Sequence, residues 1–337
     1  MAYNRVSRCR FYINVPEWLA SIGAVPLPED DVDNKLLTLP VKLSDSYNIP
    51  LELRGMTDYG FVAVLGHNMS YINPNYNNVQ GHYALESTTE DTIVMSEVVN
   101  GSPNADGWQY PQYDGFSITT FAGSDDINKF KLASATEQIG SVVIGTYYDM
   151  PHSPDLSLTL GYDYSGIDTI ETKGGASLSN ARWVKPPTWG DGGSWELYGS
   201  AASNLAYQPL AKSGRRVWDL SFSYLQDSDM FPMLSSLYPY ESTSATGDVY
   251  SSDAGGGSTT TWHQGETLTD SNNFFSQVIH KTKAGQLPFI FNPAGGGNSP
   301  NNNPDSFAIC KFDMNSFKFK QVANSAYNIK LKIREVW

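Results

Sequence analysis

Short alternating or continuously apolar runs recur along much of the chain, at Phe11–Val15, Phe61–Leu65, Thr92–Met95, Ser117–Phe121, Ser141–Gly145 and Leu156–Leu160. A period of two sends successive side chains to opposite faces of an extended backbone, so each run predicts a β-strand. Clusters of Gly, Pro, Asn and Asp separate the runs and supply the backbone angles that turns require. Many short strands with such punctuation predict a mainly β fold of the sandwich or barrel type.

Helical periodicity is scarce. Its clearest instance is Ser271–Ala284, where Phe274, Phe275, Val278 and Ile279 share one stripe and Gly285 follows as a stop signal. A shorter helix is expected over Ser228–Leu237, and helical turns near Pro16–Ile22. Leu287–Phe291 then reads as an apolar strand entered through Pro288. Residues 185–206, 240–270 and 292–306 are rich in Gly, Pro, Ser and Asn and are expected as loop insertions. A chain of 337 residues exceeds what one core usually spans. Pro151 and Pro154 interrupt the strand pattern, so the expected units are 1–150 and 151–337.

Charged residues make up only 17% of the chain and aromatic ones 13%, including 20 Tyr and 8 Trp. Its surface must therefore be largely Ser, Thr, Asn, Gly and Tyr, which suits extended protein contacts or stacking on sugars. A net charge of −13 argues against a nucleic-acid partner, because phosphate binding needs clustered Lys and Arg and only short basic clusters exist, at 212–216 and 280–283. No apolar run has the roughly 20 residues of a membrane span. The N-terminus lacks the layout of a secretion signal, which implies synthesis in the cytoplasm. The two cysteines, Cys9 and Cys310, each sit in a strand-like run and read as buried thiols.

The search for chemistry is negative. None of the five histidines shares a metal-ligand spacing with another, and nucleophile-elbow, phosphate-loop and dinucleotide motifs are missing. No catalytic residue, cofactor or metal site is assigned, and the chain is read as no enzyme. The acidic groups Glu29–Asp33 and Ser124–Asn128 lack the ligand order of a calcium loop and read as solvated turns. Trp183, Trp189, Trp195 and Trp218 cluster in sequence. They have two readings: burial in a core or subunit interface, or, for Trp183, Trp189 and Trp195, contact with host surface glycans.

Two regions resemble structural proteins of tailed bacteriophages. Asp58–Met69, with the later strand Gln138–Gly145, is similar to galactose-binding-like jelly-roll modules. Ser213–Phe222, the helix at 271–284, Gly285–Phe291, Phe307–Phe312 and Ile329–Glu335 follow in the order of elements found in distal tail and minor tail proteins. The resemblance implies an N-terminal jelly-roll β-sandwich and a C-terminal β-sandwich or barrel with one or two short helices. It also implies a virion location in the tail tip or baseplate. There the chain would form a ring, commonly hexameric, joining tail tube and hub to baseplate or fibre proteins. The jelly-roll stands first in the chain, whereas many distal tail proteins carry such modules after the ring-forming part. Two other roles remain open beside this one: a carbohydrate-binding adhesin, and a head-decoration or fibre protein. Arg215, Arg216, Trp218, Phe289, Phe291 and Trp337 are the expected subunit contacts, with Arg215→Glu or Arg216→Glu expected to block the ring and leave the subunit folded.

Overall fold

The computed structural model describes residues 7–23, 41–42, 47–50, 53, 55–67, 82–87, 92–93, 97–98, 115–123, 127–133, 138–139, 141–156, 158–163, 167–181, 215–232, 272–297 and 306–336. The loops expected at 185–206 and 240–270, with Trp183, Trp189, Trp195 and Trp337, lie outside the described residues.

The chain is mainly β. Its first half forms β1 (Arg8–Asn14), α1 (Val15–Ser21), β2 (Val41–Lys42), β3 (Tyr47–Pro50), β4 (Tyr59–His67), β5 (His82–Ser87), β6 (Thr92–Ile93), β7 (Glu97–Val98), β8 (Gly115–Ala122), β9 (Ile127–Ala133), β10 (Gln138–Ile139) and β11 (Ser141–Asp149). The second half adds β12 (Thr159–Asp163), β13 (Ile167–Glu171), β14 (Ser177–Ala181), β15 (Arg215–Gln226), α2 (Asp227–Met230), a π-helical segment (Phe275–His280), β16 (Phe289–Gly296), β17 (Ala308–Phe312), β18 (Phe319–Ala323) and β19 (Ala326–Glu335).

Eleven strands form one antiparallel sheet in the order β12-β15-β19-β17-β16-β1-β11-β4-β8-β7, with β18 paired beside β19. The first strand is central: it pairs with β11 on one side and β16 on the other. The expected boundary at Pro151–Pro154 thus follows β11 directly, and the sheet is continuous across it. Smaller sheets are β3-β9-β5-β6, β10-β2 and β13-β14.

Alternation along the strands decides what each face buries. Phe11 stands opposite Tyr148 and Phe291, while its neighbour Tyr12 stands opposite Tyr147 and Ile290 on the other face. On the first face, Val62, Val64, Val142 and Ile144 of the large sheet pack with Leu85, Ile127 and Phe130 of the four-stranded sheet, giving two layers. Further along that face, β1, β15, β16, β17 and β19 pack with Phe274, Val278 and Ile279 from the π-helical region. Tyr12, Phe61, Ala63, Leu65, Ile118, Val143, Ile290, Phe307 and Ile309 are buried on the second face. Each large apolar side chain so enclosed contributes about 1.5–3 kcal/mol.

Local chemistry sets several boundaries. At Asn14 the side-chain oxygen accepts the Glu17 backbone N–H at 3.3 Å, and Pro16 sits in the first turn, so extended chain gives way to α1. Leu156–Leu160 was expected as a strand, but regular pairing starts only at Thr159. The helix expected over Ser271–Ala284 is shorter and wider than an α-helix. Its π segment is followed by the bond from Ala284 N–H to the Ile279 carbonyl, and by left-handed φ of 51°, 56° and 89° at Lys283, Ala284 and Gly285. The second helix stops at Met230, since Phe231 is extended. Asn292–Gly296, expected within a loop, continues β16. Asn292 is fully buried there and its Oδ1 accepts the Ala294 N–H at 3.0 Å.

Candidate functional site

Three internal polar clusters and one exposed apolar surface stand out. The first cluster lies between the two cores on the first sheet face. Lys281, fully buried, donates from Nζ to Gln277 Oε1 at 2.7 Å and to the Gly55 carbonyl, with the Trp18 ring 5.5 Å away. Thr146 Oγ1 donates to the same Gln277 oxygen at 3.3 Å. An ammonium in such a place needs its protons satisfied, and these two carbonyl oxygens accept two of the three. Beside it, burial first and then the Lys281 charge pull the His280 pKa below its ordinary value.

The second cluster is on the opposite face of β1. Arg10 grips Asp149 through two bonds, Nε–Oδ1 at 2.5 Å and Nη2–Oδ2 at 2.8 Å, and stacks 4.1 Å from the Tyr147 ring centre. Burial works against the guanidinium charge, but the bond to Asp149 and the electrostatic attraction of Tyr12, Asp149 and Tyr147 together outweigh it and lift the Arg10 pKa.

The third cluster contains one of the expected contact residues. Arg216 makes a two-pronged pair with Glu335, Nε–Oε2 at 3.1 Å and Nη2–Oε1 at 3.0 Å, and donates to the Phe307 carbonyl at 2.7 Å. Its backbone N–H also bonds to Glu335. The pair closes β15 onto β19 rather than facing outward as expected. Trp218, Phe289 and Phe291 are likewise core side chains, 4%, 2% and 0% exposed, so none has surface to offer a neighbouring copy. Arg215 is half-buried at the start of β15, where it stands opposite Asp163.

Among the described residues, no group of His, Cys, Asp and Glu could hold a metal ion, and no helix is long and apolar enough to cross a membrane. Burial raises the Cys9 thiol to about 12 and Cys310 well above its usual range, which keeps both protonated. His152 places Nδ1 2.9 Å from the Ser153 carbonyl oxygen and packs near Phe222.

The exposed surface lies at the β12 end of the large sheet. Leu156, Leu158, Leu160 and Tyr162 are 90%, 40%, 45% and 50% exposed at alternate positions. The nearby β13-β14 hairpin exposes Ile170 and Leu178, which face each other across its two strands. Sequence reading missed this surface because its alternation looks like that of a strand with a buried face. No protein-family model matches the chain, and no curated protein or solved structure matches it.

Proposed function

We propose that this chain is a non-catalytic structural subunit of a bacteriophage virion, placed at the tail tip or baseplate. In this reading, copies of the chain close into a symmetric ring, commonly of six, between tail tube and baseplate or fibres. The observation that carries it is the exposed apolar edge of the large sheet. An uncovered apolar edge is an aggregation hazard for a lone chain and an assembly surface for a subunit. The segments that resemble distal tail proteins supply β15, β16, β17 and β19, which lie side by side next to that edge. A closed ring needs two unlike surfaces per copy, one for each neighbour.

The test is light scattering and electron microscopy of the purified chain, together with antibody labelling of intact particles. Closed rings and label at the tail tip are expected. A monomer at high concentration, or label confined to the head, would overturn the reading.

A further inference from the structure

We infer that the β13-β14 hairpin of one copy pairs along β12 of a second copy, adding two strands to its large sheet. The inference rests on the reading of the chain as an assembly subunit and names the contact that joins the copies.

The first reason is the state of β12. It terminates the eleven-stranded sheet, and among the described residues no strand pairs with its outer side. Natural edge strands are protected by lysines, prolines or bulges. Thr159–Asp163 contains no lysine or proline, and its pairing with β15 runs without a shift in register. Its one charge, Asp163, is matched by Arg334.

The second reason is the state of the hairpin. Its turn is well formed: Thr172 exchanges backbone bonds with Ala176 and Gly175, Thr172 Oγ1 accepts the Ala176 N–H at 3.0 Å, and Gly175 takes the positive φ. Yet β13 and β14 form a sheet of their own, and Ile170 and Leu178 remain 68% and 61% exposed. Two strands alone are marginal in water, so such a hairpin calls for a surface to lie on.

The third reason is that the two features fit each other. Only residues 164–166 separate β12 from β13, the length of a common hairpin loop. Exchange between copies keeps the register that this loop would set within one, Asp163 against Ile167 and hence Leu160 against Ile170. Leu160 already stands opposite the buried Trp218, and Ile170 opposite Leu178. Pairing would therefore complete one row of Trp218, Leu160, Ile170 and Leu178. Within a single copy the row stays broken, because the two strands belong to different sheets. Strands left open on either side of a short link are suited to exchange between copies. Symmetric β12-to-β12 pairing would cover the edge but leave the hairpin unsupported, whereas the hairpin contact covers both. It is head-to-tail, as a ring requires.

Chains with one introduced cysteine separate this contact from its rivals, since the native Cys9 and Cys310 are fully buried. Full-length Leu160→Cys and Ile170→Cys chains are mixed and oxidised, and the double variant is oxidised alone. The expected results are a covalent heterodimer from the mixture and a ladder of multimers from the double variant. A link formed only inside the double variant would overturn the inference and place the pairing within one copy. Absence of any link would overturn it as well. Leu160→Lys and Ile170→Lys, which change exposed side chains, should each abolish the oligomer while leaving the thermal midpoint of the monomer unchanged. Rings that survive both lysine variants would remove this contact and leave the ring standing. Cross-linked chains without closed rings in micrographs would remove the ring and leave the contact.

Discussion

At the scale of single residues, the pair Arg216–Glu335 shows how a sequence can name a residue and miss its role. Their separation of 119 positions hides the partnership, and an arginine in a strand reads as a surface charge. In the fold, Glu335 is 5% exposed, so removing Arg216 leaves a buried carboxylate and the Phe307 carbonyl without their cation. Arg216→Ala should cost roughly 3 kcal/mol, read as a lower urea midpoint, and Arg216→Glu should cost more through like-charge repulsion. Replacing both members by apolar residues should recover much of the loss. His280 predicts a pH effect. Its folded pKa lies below the ordinary 6.5, so between those values the unfolded chain binds more protons. Its contribution is fully present above the ordinary value and is lost as pH falls through the folded one. Wild type should therefore lose more stability between about pH 8 and 5 than His280→Gln does, in paired denaturation curves.

At the scale of elements, strands were legible where short apolar runs between turn residues coincide with burial on both faces, as at Phe61–Leu65 and Val142–Ile144. They were less legible where polar residues are buried or glycine enters a strand. Asn292–Gly296 reads as a loop by composition, yet Asn292 is held by its own local hydrogen bond inside β16. The π-helical segment was legible as an apolar stripe, but its i to i−5 bonding and the contacts of Lys281 with Gln277 and Gly55 have no signature in the sequence period. Gly145 is a glycine whose need is geometric. A Cβ there would lie 1.9 Å from the Ile13 carbonyl oxygen and 2.8 Å from the Val15 nitrogen, both backbone atoms that cannot swing away. Gly145→Ala must push β1 away from β11 where α1 begins. A loss of roughly 1–3 kcal/mol or more in denaturant unfolding is expected.

At the scale of the whole molecule, the position of β1 determines how the chain unfolds. Two prolines after β11 invite a division of the chain at that point, because local sequence cannot reveal a pairing between residue 11 and residue 291. In the fold, the Phe11 ring lies 5.7, 5.6, 5.2 and 6.1 Å from those of Phe274, Phe289, Phe291 and Phe312. The first strand thus supplies the centre of a core whose other residues come mostly from Trp218 to Ile333, with Tyr148 and Met150 beside them. Tyr148 and Thr146 extend the link, donating to the Asp229 carbonyl at 2.9 Å and to Gln277 at 3.3 Å. Removing residues 151–337 would strip β1 of β16, and removing residues 1–150 would strip β16 of β1, leaving backbone groups on that side unpaired in either case. Thermal unfolding should therefore be one transition, with calorimetric and van't Hoff enthalpies equal. Fragments 1–150 and 151–337 made separately should show no cooperative melting, and mixing them should restore it. Two resolved transitions in the full chain, or a fragment that melts cooperatively alone, would show that the halves hold together independently and that the β1–β16 seam is only an interface between them.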